Sequence, residues 1–181
     1  MYWKCCPLSI AAAVRVGQRS AVSVVEEALG AVENANPRLN AFDQVFAAQA
    51  VADAVQVDLR RAQGRDPGRL AGVPFAAKRL FDVAGHITVA RALARRNAPA
   101  AVSDAFAVAQ LKQQGAILVG TTHMDELACG ATGENPHFGP VHNPPTGRYR
   151  VNTCRCGLAS WCSAYWRSIS RRQVLLRRAP A

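Results

Sequence analysis

The chain is poor in lysine, has no Cys-x-x-Cys pair, and contains no long apolar run. No stretch approaches the roughly 18 to 20 apolar residues that a membrane-spanning helix needs, so no membrane association is expected. The six cysteines are Cys5, Cys6, Cys129, Cys154, Cys156 and Cys162. Their spacing is not that of a redox pair, a zinc ribbon or a finger, even with His142 near the last three, so no metal is expected. No segment repeats. The opening MYWKCCPLSIAAAV has one lysine, and its two cysteines and proline interrupt any continuous hydrophobic region. A secretory signal is therefore not expected, and a cytoplasmic placement is.

Acidic residues are also missing from one part of the chain. From Arg148 to the end there are eight arginines and no acids, whereas residues 1–147 carry 14 basic and 12 acidic groups. The net charge of +10 is thus mostly a property of the tail. Two of the three tryptophans lie there too, and arginine beside aromatic rings suits phosphate contact and base stacking. Non-specific attraction to nucleic acid through this Arg-rich tail is expected from charge alone, without a recognisable RNA-binding module.

What is present is patterned up to about residue 145. The length of 181 residues, half of them hydrophobic, suits one domain with a real core. Ser20 is placed to cap a helix whose stripe is Val22, Val25, Leu29 and Val32, and Asn36-Pro37 is expected to stop it. AFDQVF reads as a short strand or a helix entry, and AAQAVADAVQVDLRRAQG as an Ala-rich helix ending near Gly64. GRDPGRLAG is a loop of turn residues. Residues 73–78 suit a buried strand. Ser103 and Asp104 are expected to open a helix, AFAVAQLKQQ, that Gly115 closes before the apolar strand AILVG. Strand, crossover, helix, strand is the parallel α/β unit.

The stretch LAGVPFAAKRLFDVAG holds one of only three lysines, Lys78. Two readings of it stay open on residue pattern alone. An edge-strand lysine would reach water, whereas a lysine that loses its hydration in an apolar strand becomes available as a neutral amine and general base.

Together with SDAFAVAQLKQQGAILVGTTHMDELACGATGENPHFGPVHNP, this stretch resembles the amidase signature family, which includes the amidotransferase A subunits acting on mischarged glutamyl-tRNA. The likeness runs from about Ser9 to Pro144. It implies an α/β fold, a mixed sheet flanked by helices, of which this chain supplies the N-terminal part. It also implies amide C–N hydrolysis by a Ser-cis-Ser-Lys triad: the lysine at the position of Lys78 draws a proton through one serine from a second, which attacks the carbonyl. The oxyanion is held by backbone N–H groups of a Gly-Ser-rich loop. The substrate-binding loop maps to Ala128, Cys129, Gly130 and Ala131. No metal or organic cofactor is implied. The partners implied are a small amide substrate if the protein is complete, and amidotransferase subunits.

Several residues depart from the family pattern. After Asn143-Pro144 the Gly-Gly-Ser-Ser stretch is replaced by PTGRYRVNTCRCGLASWCSAYWRS, and neither catalytic serine has a matching position. Arg79 stands where an acid or amide commonly follows the lysine, and either sits beside the base or points to the opposite face of the strand. His123 replaces the usual asparagine before Met-Asp-Glu, and VARALARR replaces an Ala-Gly-Ser segment. Cys129, with His123 or His137 nearby in sequence, is read as a packed thiol rather than a nucleophile. Asp125 and Glu126 are read as capping a short helix.

The expectation is therefore a division into residues 1–145, the N-terminal portion of an amidase domain, and residues 146–181, a basic tail foreign to the family that is out of frame or disordered. A chain so truncated is expected to be inactive, with open edges on the strands at 73–78 and 116–120. The alternatives are a non-catalytic fragment docking to an amidotransferase partner, and an RNA binder acting through the tail.

Overall fold

A computed structural model describes residues 6–130 and 132–142 and the backbone of 158–160. Helix α1 spans Pro7–Arg15. Pro7 is its first residue, a position where the missing N–H costs no helical hydrogen bond and the fixed φ favours initiation. The proline that interrupts the opening hydrophobic run thus starts a helix, which buries Ile10, Ala11 and Val14.

Helix α2, Ala21–Leu39, starts as expected: the Ser20 hydroxyl accepts from the Ser23 N–H at 3.0 Å. Its first two amides are satisfied from outside. The Asp58 carboxylate accepts from Ala21 N–H at 2.8 Å and from Val22 N–H at 3.2 Å, placing negative charge at the positive end of the helix. The far end departs from expectation, because α2 runs through Pro37 to Leu39. Pro37 has no N–H to donate to the Glu33 carbonyl, so the last turn proceeds without that one bond. Asn40, at φ 49°, makes the turn instead, and the Asn36 amide group accepts from Phe42 N–H at 2.7 Å to fix the exit.

Strand β1, Phe42–Val45, leads directly into α3, Ala47–Ala62, where Ala50, Ala54 and Val57 form the buried stripe. Strand β2 is Pro74–Lys78, α4 is Phe106–Gln113 and β3 is Ile117–Thr122. The β2–α4–β3 segment is the expected parallel unit, with Phe75 opposite Leu118 and Lys78 opposite Thr122. Strand β1 adds to β3 antiparallel, with Phe42 opposite Thr122. The last strand, β4, is Leu158–Ser160, which pairs antiparallel with β2. The sheet order is β1-β3-β2-β4, a mixed sheet flanked by helices.

Open edges on β2 and β3 are accordingly not found. Each lies between two neighbours, β3 between β1 and β2 and β2 between β3 and β4, so their ladder groups are paired on both sides. Both faces are covered as well. Ile117 and Val119 pack with Val73 against α1, α2 and α3, and Phe75, Ala77 and Leu118 pack with Val83 and Val108 on the other side. The period-2 alternation of β3 explains the split. A fully buried valine such as Val24, Val25 or Val119 contributes about 1.5 to 3 kcal/mol.

Ser103 and Asp104 do not cap α4. Its N-cap is Ala105, without a side-chain bond. Asp104 instead accepts from the Ala84 N–H at 2.9 Å and from Lys112 at 2.7 Å, tying the preceding loop to the helix. Burial alone would raise its pKa, but the Lys112 ammonium and the Ala84 amide outweigh it and hold the carboxyl below its usual value.

Gly115 closes α4 at φ +83°, and a Cβ there would lie 2.2 Å from the Pro67 carbonyl oxygen. Backbone cannot yield as a flexible side chain can. Gly115→Ala should therefore destabilise by about 2 kcal/mol or more, beyond the usual left-handed penalty, measured by thermal or urea denaturation.

Candidate functional site

In open sheets of this kind ligands gather at the carboxyl ends of the parallel strands. Here that end is built from three pieces: the last residue of β2, the last residues of β3, and the start of antiparallel β1. Lys78 is the terminal residue of β2 and is partly buried rather than sealed in the strand. Among the described residues no carboxylate forms a salt bridge with it. The segment from Thr122 to Gly130 leaves β3 at this same end.

Arg79 follows Lys78, and its backbone N–H donates to the Thr122 carbonyl at 3.2 Å. Its guanidinium is buried. Nε lies 2.8 Å from Asp43 Oδ2, close for an ion pair although not aligned as a hydrogen bond. Nη1 donates to the Gln44 side-chain oxygen and, weakly, to Thr121 Oγ1 at 3.4 Å. Of the two expectations for Arg79, its contacts favour the one that points away from the lysine, toward β1 and Thr121.

Arg91 pairs with the other oxygen of the same carboxylate, Asp43 Oδ1. Its guanidinium also lies 4.0 Å from the centre of the Phe138 ring, a cation–π contact. Burial lowers the pKa of both arginines, against the opposing attraction of Asp43. Both stay charged, as a guanidinium does in any protein setting.

Ala90 and Arg91 occupy left-handed backbone at φ 45° and 54°, disfavoured for residues with a Cβ. They are held from the loop after β3. Asn135 Nδ2 donates to the Arg91 carbonyl at 3.0 Å, and Leu127 N–H donates to the Ala90 carbonyl at 2.9 Å. The same Asn135 accepts from the His137 and Phe138 amides at 3.0 and 3.2 Å, shaping the loop that carries Phe138.

His123 is only 4% exposed, and neither ring nitrogen makes a hydrogen bond of good geometry. Burial first, and then the Arg91 charge, pull its pKa below the usual 6.5, against a weaker pull upward from the backbone of Phe138 and Gly139 and from Asp43.

Three of the four residues of the expected substrate loop are among the described residues. Ala128, Cys129 and Gly130 are exposed, Ala128 at φ 61°, while Ala131 lies outside the described residues, as do Asn143, Pro144 and the cysteines and arginines of the tail. Cys129 is thus an exposed thiol, not a packed one, because the turn at Glu126–Ala128 carries it outward. Gly130 has a structural reason of its own: a Cβ there would meet the Asp125 carboxyl carbon at 2.9 Å. Asp125 stands at the N-cap position of the Glu126–Ala128 turn but makes no capping bond to it. It is buried and accepts from Glu134 N–H at 3.0 Å, bracing the loop across its base. Residue pattern alone missed Asp43, Gln44, Thr121 and Asn135. The available signal was charge: two arginines within apolar stretches need a buried carboxylate, and Asp43 lies in the apolar strand AFDQVF.

The pattern of the Amidase family matches residues 23–151, more than half of the chain. This chain belongs to the amidase family. It is 44% identical over 133 residues to AtzE, a 1-carboxybiuret hydrolase subunit of Pseudomonas sp. (strain ADP), covering 73% of this chain and 29% of that protein. It is 42% identical over 135 residues to one of the glutamyl-tRNA(Gln) amidotransferase A subunits, that of Bdellovibrio bacteriovorus, covering 75% of this chain and 27% of that one.

Among solved structures, the fold matches one reported as an unexpected vestigial protein complex revealing the evolutionary origins of an s-triazine catabolic enzyme. The TM-score is 0.76 at 41% identity, with 77% of this chain and 31% of that chain covered. It also matches a bacterial aryl acylamidase of the amidase signature family, with TM-score 0.71 at 29% identity and 77% and 29% of the two chains covered. This amidase-family chain therefore spans less than a third of the length of these relatives.

The buried imidazole sets a pH dependence. The folded state disfavours the proton on His123, so the unfolded state binds more protons as pH falls below about 6.5, and stability falls with it. Above that value the contribution is complete. The melting temperature should fall between pH 7 and pH 5, and His123→Asn should flatten that slope.

Proposed function

We propose that residues 1–145 are the N-terminal portion of an amidase domain that cleaves an amide C–N bond of a small carboxamide, with Lys78 as the base of the Ser-cis-Ser-Lys relay. The observation that carries this reading is the place of Lys78: it ends a central parallel strand, unpaired with any described carboxylate, inside a segment that matches the family. A lysine so placed is free to serve a hydroxyl partner supplied from another part of the domain. Ala128, Cys129, Gly130 and Ala131 are the proposed lining of the acyl subsite, where small residues let a substrate approach the backbone.

In this chain the relay lacks its hydroxyls. The residues after Asn143-Pro144 carry no Gly-Gly-Ser-Ser stretch, and residues 146–181, of which the family match takes in only 146–151, are read as a segment foreign to the family. The isolated chain is accordingly proposed to be inactive. A second reading, that it docks to another protein of an amidotransferase-like assembly, is supported by the relatives that are themselves named as subunits. It is compatible with the first.

The test supplies what is missing. Residues 1–145 joined to the remaining length of a relative such as AtzE should release ammonia from simple amides, and Lys78→Ala should lower the rate by roughly 100-fold or more. The unjoined chain should release none above background. A folded chimera that keeps its rate without Lys78, or ammonia release by the unjoined chain that disappears with Lys78→Ala, would overturn the respective half of the proposal.

A further inference from the structure

Three buried polar residues, scattered in sequence, meet in space. Arg79, Arg91 and His123 are 6%, 5% and 4% exposed, and Asp43 is the one carboxylate among the described residues that forms a salt bridge with either guanidinium. We propose that Asp43 is a positioning residue for Lys78: by pairing with Arg79 and Arg91 together, it ties the end of β2 to the start of β1 and to the left-handed turn at residues 90–91. The functional meaning of this clamp rests on the reading of Lys78 as the base. The clamp itself does not.

Two guanidinium groups withdrawn from water near each other repel, and each loses hydration that only a well-placed anion offsets. Asp43 offers one oxygen to each, so neither arginine can be satisfied without the other's partner staying in place. Arg79 is covalently next to Lys78, and its own amide closes the ladder on Thr122 at 3.2 Å. Pinning the Arg79 side chain to β1 therefore fixes the peptide that carries Lys78. On the other side, Arg91 holds an unfavourable φ of 54° while its side chain reaches Asp43 and lies against Phe138. A glycine would adopt that backbone freely but bring no charge. Arg91 and Arg79 are thus read as one coupled pair around a single carboxylate, with His123 nearby, where burial first and the Arg91 charge second disfavour its proton.

The scarcity of lysine provides the test. Lys78 and Lys112 can be followed separately by mass spectrometry after brief acetylation of the full chain, with Lys112, paired to Asp104 at 2.7 Å, as the internal reference. Asp43→Asn should raise the labelling of Lys78 relative to Lys112 by about threefold or more as the strand end loosens, and Asp43→Glu should largely restore it. In the Arg79→Asn/Arg91→Gly background the same Asp43→Asn change should alter the ratio by less than about 1.5-fold, because no buried cation remains to be orphaned. An equal rise in both backgrounds, or no rise in either, would overturn the proposal. Should Asp43→Asn fail to fold, the triple variant decides: recovery of folding supports the clamp, and failure of the triple variant contradicts it. Retention of activity without Lys78 in the chimera would remove the lysine's role as base while leaving these labelling results to stand or fall separately.

Discussion

Two guanidinium groups lie out of water at the carboxyl ends of neighbouring strands, and a single carboxylate stands between them. Asp43 comes from β1, which enters the sheet antiparallel just where β3 ends, so its side chain reaches both Arg79 beyond β2 and Arg91 on the irregular connection to α4. Removing one charge from such a group is far costlier than replacing all of them, since what remains is a buried ion without a partner. Strand register, the left-handed turn at 90–91, and the loop carrying Asn135 and Phe138 all converge on this point. The layered core, by contrast, is ordinary packing of valine and alanine on two faces of a sheet.

That arrangement explains why Lys78 stands apart from the other cations at this end of the molecule. The arginines are neutralised within the protein; the lysine is left without a carboxylate among the described residues. Under the proposal that Lys78 is a base, a group that exchanges protons with a hydroxyl must not be locked in an ion pair, whereas one that holds backbone in place is served by it. The loop after β3 follows the same division. Asp125 is committed inward to brace residues 132–134, and Ala128, Cys129 and Gly130 face outward with little side-chain bulk. The chain belongs to the amidase family and covers under a third of the length of the relatives it matches.

Much of the framework was legible in the residues. Ser20 as a cap, the existence of α2 and α3, Gly115 at a helix end, and the parallel pairing of β2 with β3 all follow from local rules that tertiary packing did not need to override. The misreadings share a physical cause, namely that short polar or rigid residues can be used in more than one way. Pro37 is carried within the last turn of α2 at the loss of one ladder bond, and Pro7 begins a helix where it seemed only to interrupt an apolar run. Asp104 is committed to Lys112 and Ala84, not to the first turn of α4. Asp43 was hidden for a different reason: its partners lie 36 and 48 positions away in the chain, and no local pattern links them. An unmatched buried charge is a nonlocal signal, readable only by asking where the compensating charge must be.

The most direct measurement is native-state hydrogen exchange at the amides that close the clamped end of the sheet. Arg79 N–H donates to Thr122 and His123 N–H to Ala41 at 2.8 Å, each one residue past a strand terminus, where fraying would ordinarily be expected. If the ion cluster fixes this end, both amides should exchange as slowly as those of Leu118 and Val119 in the middle of β3. Exchange at the rate of an open loop, with the middle of β3 still protected, would contradict it.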